Sequence, residues 1–124
     1  MRVLFISPVT EEIAISAPPL GLAWVVAATK DAGHNVVMLD LKAAKDPLVA
    51  LEKTIGRFNP DIIGISVRNI DDQGMDNTRF FLNPIKELVS YCRSLSDAKI
   101  VLGGAGYSIY PESSLAYLGA DMGI

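Results

Sequence analysis

Short aliphatic and β-branched runs alternate along this chain with longer stretches whose apolar side chains recur every three or four positions. Val3–Ser7, Asn35–Leu39, Asp61–Ser66 and Lys99–Leu102 have strand length, and a last run begins near Asp121. Between them, Leu20–Ala32, Pro47–Phe58, Thr78–Leu95 and Pro111–Leu118 have helix length and helical spacing. Such alternation predicts an α/β domain, a doubly wound parallel sheet with helices on both faces. The helix ends carry their own signals. Pro19, Pro47 and Pro111 suit first turns, where a missing N–H forfeits no hydrogen bond. Asp46 and Asn77 are placed to cap, and Gly33 and Gly119 to stop, their helices. Trp24 shares a helical stripe with Leu20 and Ala28 and reads as core rather than as a stacking platform. Cys92, inside the third helix, reads as a small buried hydrophobe.

In a parallel sheet all strand-to-helix loops gather on one edge. Here these are Ser7–Pro19, Asp40–Asp46, Val67–Asn77 and Gly103–Tyr110, and two of them exceed the usual length of about 2–6 residues. The opposite edge has only short turns, such as Gly33-His34 and Asn59-Pro60. Long loops over a rigid sheet carry function, and ligands of open α/β sheets sit at the carboxyl ends of the strands. The run Ile100-Val101-Leu102 empties there into Gly103, Gly104 and Gly106, where backbone lacking Cβ atoms can turn sharply and approach a ligand. His34, the only histidine, falls on the other edge and reads as a turn residue. Histidine catalysis and a histidine-held metal are therefore not expected, and no catalytic or metal-ligating residue is assigned.

Composition narrows the classes further. The chain has 124 residues, half of them hydrophobic, which suits one domain with a real core. A net charge of −3 with no basic run gives no footprint for nucleic acid. One cysteine excludes a disulfide framework or a cysteine-rich cluster within the chain and fits a reducing cytoplasm. The N-terminal apolar run is too short for a signal peptide or a membrane span.

The loop after the first strand, Ser7-Pro8-Val9-Thr10-Glu11-Glu12, lacks the GxGxxG of a dinucleotide site, and there is no Walker loop. Ser66 stands where a phosphoacceptor domain would need aspartate. In Ser66-Val67-Arg68-Asn69-Ile70-Asp71-Asp72-Gln73, Arg68 either grips an anionic or amide-bearing ligand or pairs with Asp71 or Asp72. Asn69 and Gln73 offer donors and acceptors, so the loop favours a polar, amide-rich ligand over acid–base catalysis. Pro19-Leu20-Gly21 opens the first helix at the binding edge, where free N–H groups and Gly21 permit close approach. Tyr107 and Tyr110 flank the glycine loop and either pack on a flat ligand or pack structurally.

Pro18-Pro19-Leu20-Gly21-Leu22, Gly33-His34-Asn35-Val36 leading to Leu39-Asp40, Pro60-Asp61-Ile62-Ile63-Gly64-Ile65-Ser66, and Val101-Leu102-Gly103-Gly104 with Pro111-Glu112 occur in this order. In this the chain resembles the N-terminal cobalamin-binding domain of cobalamin-dependent radical SAM enzymes, over nearly its whole length. The resemblance implies a flavodoxin-like (Rossmann-like) five-stranded sheet with cobalamin across its carboxyl edge. Ser66, Gly103, Gly104 and Gly106 would line the nucleotide tail. Loop residues from Ser7 and Pro8 to Pro19, and from Val67 through Arg68 and Asn69 to Asp72, would approach the corrin ring. The DxHxxG histidine of the mutase type is missing, which implies a cobalt without a histidine ligand from this domain. Ser66-Val67-Arg68 also departs from the Ser-x-Leu of that type, which leaves the role of Arg68 open.

S-adenosylmethionine and the iron–sulfur cluster would belong to a C-terminal radical SAM domain of the same parent chain, since the CxxxCxxC motif is absent here. The sequence stops where a fifth strand begins, without the helix that should cover it, and reads as a non-catalytic N-terminal fragment of such an enzyme, with methyltransferases among the candidates. Two other readings are a flavodoxin-like domain for a flavin or nucleotide, and a regulatory or interaction domain that binds no ligand.

Overall fold

In a computed structural model that describes residues 1–8, 20–67, 78–104 and 111–124, the predicted alternation is realised strand by strand. The elements run β1 (Arg2–Ser7), α1 (Leu20–Asp31), β2 (Asn35–Asp40), α2 (Pro47–Phe58), β3 (Ile62–Ser66), α3 (Thr78–Leu95), β4 (Lys99–Gly103), α4 (Pro111–Leu118) and β5 (Met122–Gly123). The sheet is parallel throughout, in the order β2-β1-β3-β4-β5. This is the flavodoxin-like order, in which the chain reverses its direction of travel after β2. Right-handed crossovers then put α1 on one face and α2, α3 and α4 on the other.

The two faces are unlike. Leu4 and Ile6 of β1 stand in register with Ile63 and Ile65 of β3, and these with Ile100 and Leu102 of β4. All six are essentially inaccessible and pack with Leu51, Ile55, Ile85, Val89, Cys92 and Leu118 from α2, α3 and α4. Each such aliphatic side chain contributes about 1.5–3 kcal/mol on leaving water. The α1 face carries the alternate positions, Val3, Phe5 and Ser7 in β1 and Ile62, Gly64 and Ser66 in β3, and α1 packs over β1 and β2.

The local signals act as expected where they are described. Asp46 caps α2 by accepting the Val49 N–H at 3.4 Å, with Pro47 in the first turn. Gly33 and Gly119 end their helices at φ +96° and +71°. The close of α2 was less legible: Asn59, at φ +49°, donates its N–H to the Ile55 carbonyl at 2.9 Å. On the amino edge, Asp61 accepts the Arg2 N–H at 2.8 Å and returns its own N–H to the Arg2 carbonyl. Asp121 does the same with Ile100. These paired bonds set the register in which β3 meets β1 and β5 meets β4. The capping positions Pro19 and Asn77 lie outside the described residues.

Trp24 contradicts its expected place in the core. It is 78% exposed, with Leu20 at 66% and Ala28 also exposed, whereas Leu22 and Val26 turn to the sheet. The cause lies in the composition of α1, Leu-Gly-Leu-Ala-Trp-Val-Val-Ala-Ala-Thr-Lys-Asp. A helix that is apolar nearly all round has no periodicity to select its inner face.

Candidate functional site

The carboxyl edge brings together the ends of β1, β3 and β4. On the α1 face Ser7, Ser66 and Gly103 form its last row, one position beyond the Ile6, Ile65 and Leu102 row of the opposite face. Ser7 is buried, while Ser66 and Gly103 are half-buried. One row down stand Phe5, Gly64 and Val101. A Cβ on Gly64 would lie 2.8 Å from a carbon of the Phe5 ring, so the ring lies across the glycine. Sequence reasoning passes over Gly64 as a site feature, although a glycine inside a strand is a signal for close approach.

The two glycines ending β4 have different reasons for being there. A Cβ on Gly104 would meet the backbone of Val67 at 2.6 Å from its oxygen and 2.9 Å from its nitrogen, and Gly104 has φ +101°. Gly104 is thus demanded by the fold itself. The Val67 N–H donates to the Gly103 carbonyl at 2.7 Å, which holds the ends of β3 and β4 together beneath that turn. A Cβ on Gly103 would meet nothing within 4 Å. The space above Gly103, on the α1 face, is open.

Val67 takes a different part from that of a loop residue. Its side chain is fully buried and belongs to the core beneath α2, α3 and α4, because it falls on the side of Ile63 and Ile65. Its backbone alone borders the edge. Leu20 and Gly21 open α1 at this edge and are exposed, and Pro8 follows β1 half-buried. Pro19, Arg68, Asn69, Gly106 and Tyr107 lie outside the described residues, as do Asp71, Asp72, Gln73 and Tyr110.

The groups with shifted titration lie away from this row. Asp61 and Asp121, on the amino edge, are held below the ordinary carboxylate range chiefly by the backbone N–H groups of Arg2 and Ile100. Burial pushes the Cys92 thiol up to about 11. The Tyr91 hydroxyl, which donates to the Glu52 carboxylate, is raised by that bond. His34 sits on the amino edge with its Nδ1 3.3 Å from the N-terminal amine of Met1. Among the described residues no three His, Cys, Asp or Glu side chains gather to hold a metal ion. The described edge thus presents small residues, Ser7, Ser66 and Gly103, at the strand ends and the exposed Leu20 and Gly21 at the start of α1.

Residues 6–124 match the family model of the B12 binding domain. A tryptophan 2-C-methyltransferase of Streptomyces laurentii is 27% identical over 107 residues, covering 86% of this chain and 18% of the relative. An uncharacterized methyltransferase of Pyrococcus horikoshii is 32% identical over 71 residues, 53% of this chain and 15% of that protein. The chain therefore spans less than a fifth of either curated relative. Among solved structures, the radical S-adenosylmethionine methyltransferase TsrM from Kitasatospora setae, with cobalamin and a [4Fe-4S] cluster bound, superposes with a TM-score of 0.89 at 29% identity. That match covers 99% of this chain and 22% of TsrM. A cobalamin-binding protein from Desulfitobacterium hafniense shares the fold, with a TM-score of 0.64 at 18% identity over 98% of this chain and 51% of that one.

Proposed function

Since this chain belongs to the B12 binding domain family, we propose that it seats cobalamin histidine-off across its carboxyl edge, as the N-terminal module of a longer radical SAM methyltransferase. The nucleotide tail lies on the α1 face, over the row Ser7, Ser66 and Gly103. The observation that carries this placement is that a Cβ on Gly103 would meet nothing within 4 Å, beside a Gly104 that the fold already requires. The small side chains of Ser7 and Ser66 keep the same row low. Pro8, Pro19, Leu20, Gly21, Val67, Arg68, Asn69, Gly104, Gly106 and Tyr107 border the ligand in this reading, Val67 through its backbone.

When bound, cobalamin supplies a cobalt that accepts and passes on a methyl group. This chain's own residues bind and orient the cofactor and leave bond-making to the partner domain. His34 stands on the far edge, and strands of this length separate the edges by about 17–20 Å. His34 would therefore be out of reach of a cobalt held at the carboxyl edge. Cys92 is buried and is the single cysteine, so the iron–sulfur cluster and S-adenosylmethionine belong to the C-terminal part of the parent. No described helix is long and apolar enough to cross a membrane, and we place the protein in the cytoplasm.

The test is to load the full-length protein with hydroxocobalamin, desalt it and read the visible spectrum. Retained corrin, with a spectrum unchanged by His34→Ala, is the expected result. Absence of corrin would overturn the reading, and retention of a flavin or nucleotide instead would favour another cofactor. A spectrum altered by His34→Ala would overturn the histidine-off arrangement alone.

A further inference from the structure

The outer side of α1 is apolar and uncovered. From Leu20 to Thr29 the helix carries no charged side chain, and Lys30 is its first. Leu22 and Val26 turn inward. At about 100° per residue Trp24 points opposite to them, with Leu20 and Ala28 one turn to either side. Trp24 at 78% and Leu20 at 66% are among the most exposed large apolar residues described. A helix that is apolar all round belongs in an interior, and a contiguous exposed apolar surface marks an interaction site.

Two further features indicate what covers it. The stripe begins at Leu20, on the edge where the ligand row lies, so a body that closes over that ligand meets α1 in the same movement. On the same face, the sheet beside α1 is only partly covered: Ile62 and Val101 are half-buried and Met122 is 53% exposed. The relatives supply the mass, since TsrM matches this chain over only 22% of its length.

We propose that the outer face of α1, centred on Trp24 and running from Leu20 to Ala28, is the docking surface for the domain joined to this one in the same polypeptide. The proposal rests on the reading of the chain as a module of a longer protein. The occupant is a covalently attached domain, so docking is intramolecular and independent of protein concentration. Its apolar surface meets Trp24 along a line continuous with the ligand edge.

The experiment uses the full-length protein carrying Trp24→Cys, with Lys53→Cys on the exposed side of α2 as reference. Maleimide labelling is followed at each position by peptide mass mapping. Labelling at position 24 at least tenfold slower than at position 53, and unchanged on dilution, is the expected result. Equal rates would overturn the proposal. Protection that disappears on dilution would assign the face to a second copy and overturn it equally. Ala28→Cys, on the same face, gives the same readout should Trp24→Cys fail to fold. Corrin content measured on the same samples separates the two ideas. Fast labelling with corrin retained removes the docking face and leaves the cobalamin site standing. Protection without corrin removes the cobalamin site and leaves the docking face standing.

Discussion

Gly103 and Gly104 make a paired test in which neighbouring glycines should fail for opposite reasons. In Gly104→Ala the new Cβ would sit 2.6 Å from the Val67 oxygen, against backbone that cannot swing aside, at φ +101°. Left-handed strain alone costs about 1–3 kcal/mol, and the clash adds to it by pulling on the Val67 to Gly103 hydrogen bond. A loss of about 3 kcal/mol is expected, a large part of the roughly 5–15 kcal/mol that holds such a domain folded. In Gly103→Val the side chain enters open space, and a β-branched residue suits a strand. Stability should therefore stay within about 0.5 kcal/mol of the parent. If the nucleotide tail occupies that space, the valine overpacks it at a cost of about 1–3 kcal/mol, which weakens cobalamin binding roughly 5- to 150-fold. Urea denaturation of the ligand-free proteins gives the first quantity, and titration with hydroxocobalamin followed by absorbance gives the second. Undiminished binding by a normally stable Gly103→Val protein would refute the tail placement. Reduced binding by Gly104→Ala says little, because that variant damages the site through the fold.

Other outcomes follow from single groups. The Ser114 hydroxyl is buried and has no hydrogen-bond partner among the described residues, and an orphaned polar atom costs about 1–3 kcal/mol. Ser114→Ala should therefore raise the denaturation midpoint, and a lowered midpoint would show that the hydroxyl has a role. Cys92 is fully buried with its thiol near 11, so it should resist a thiol reagent at pH 8 in the native protein and react on unfolding. Asp61 and Asp121 have folded pKa values below their unfolded ones. The stability they contribute is complete above the unfolded carboxylate pKa of about 4 and is lost as pH falls through the lower folded values. Midpoints measured across that acid range should fall, and less steeply for the Asp61→Asn, Asp121→Asn double variant. Equal slopes would assign the acid sensitivity to other carboxylates.

The sequence discloses the scaffold well because its punctuation is chemical. Pro47–Phe58, Thr78–Leu95 and Pro111–Leu118 were legible to the residue. Asp46 and Pro47 mark the start of α2, and the apolar runs of the buried strands are short and bounded by turn residues. Two features were not legible, and both depend on neighbours distant in sequence. The inward face of α1 is chosen by how the helix sits on β1 and β2, and its uniform apolarity gave Trp24 no reason to be assigned outward. The division between Gly103 and Gly104 depends on where the Val67 backbone passes, which no local pattern records.

That division follows from the sheet's two-sided construction. Side chains alternate along each strand, so the positions that build the core beneath α2, α3 and α4 cannot also line the ligand row. Ile65 and Leu102 serve the core, and their successors Ser66 and Gly103 face α1. With three helices packed on the first face, the domain's cohesion does not depend on large side chains in the last row of the second. Small residues at Ser7, Ser66 and Gly103 then cost little stability and leave volume for a ligand. The same division accounts for Gly104: closing the turn against Val67 keeps the two strand ends together while Gly103 stays open. In the proposed placement, such a domain holds a large cofactor by leaving one row of one face unfilled, so that its binding edge can change without disturbing the core on the other side.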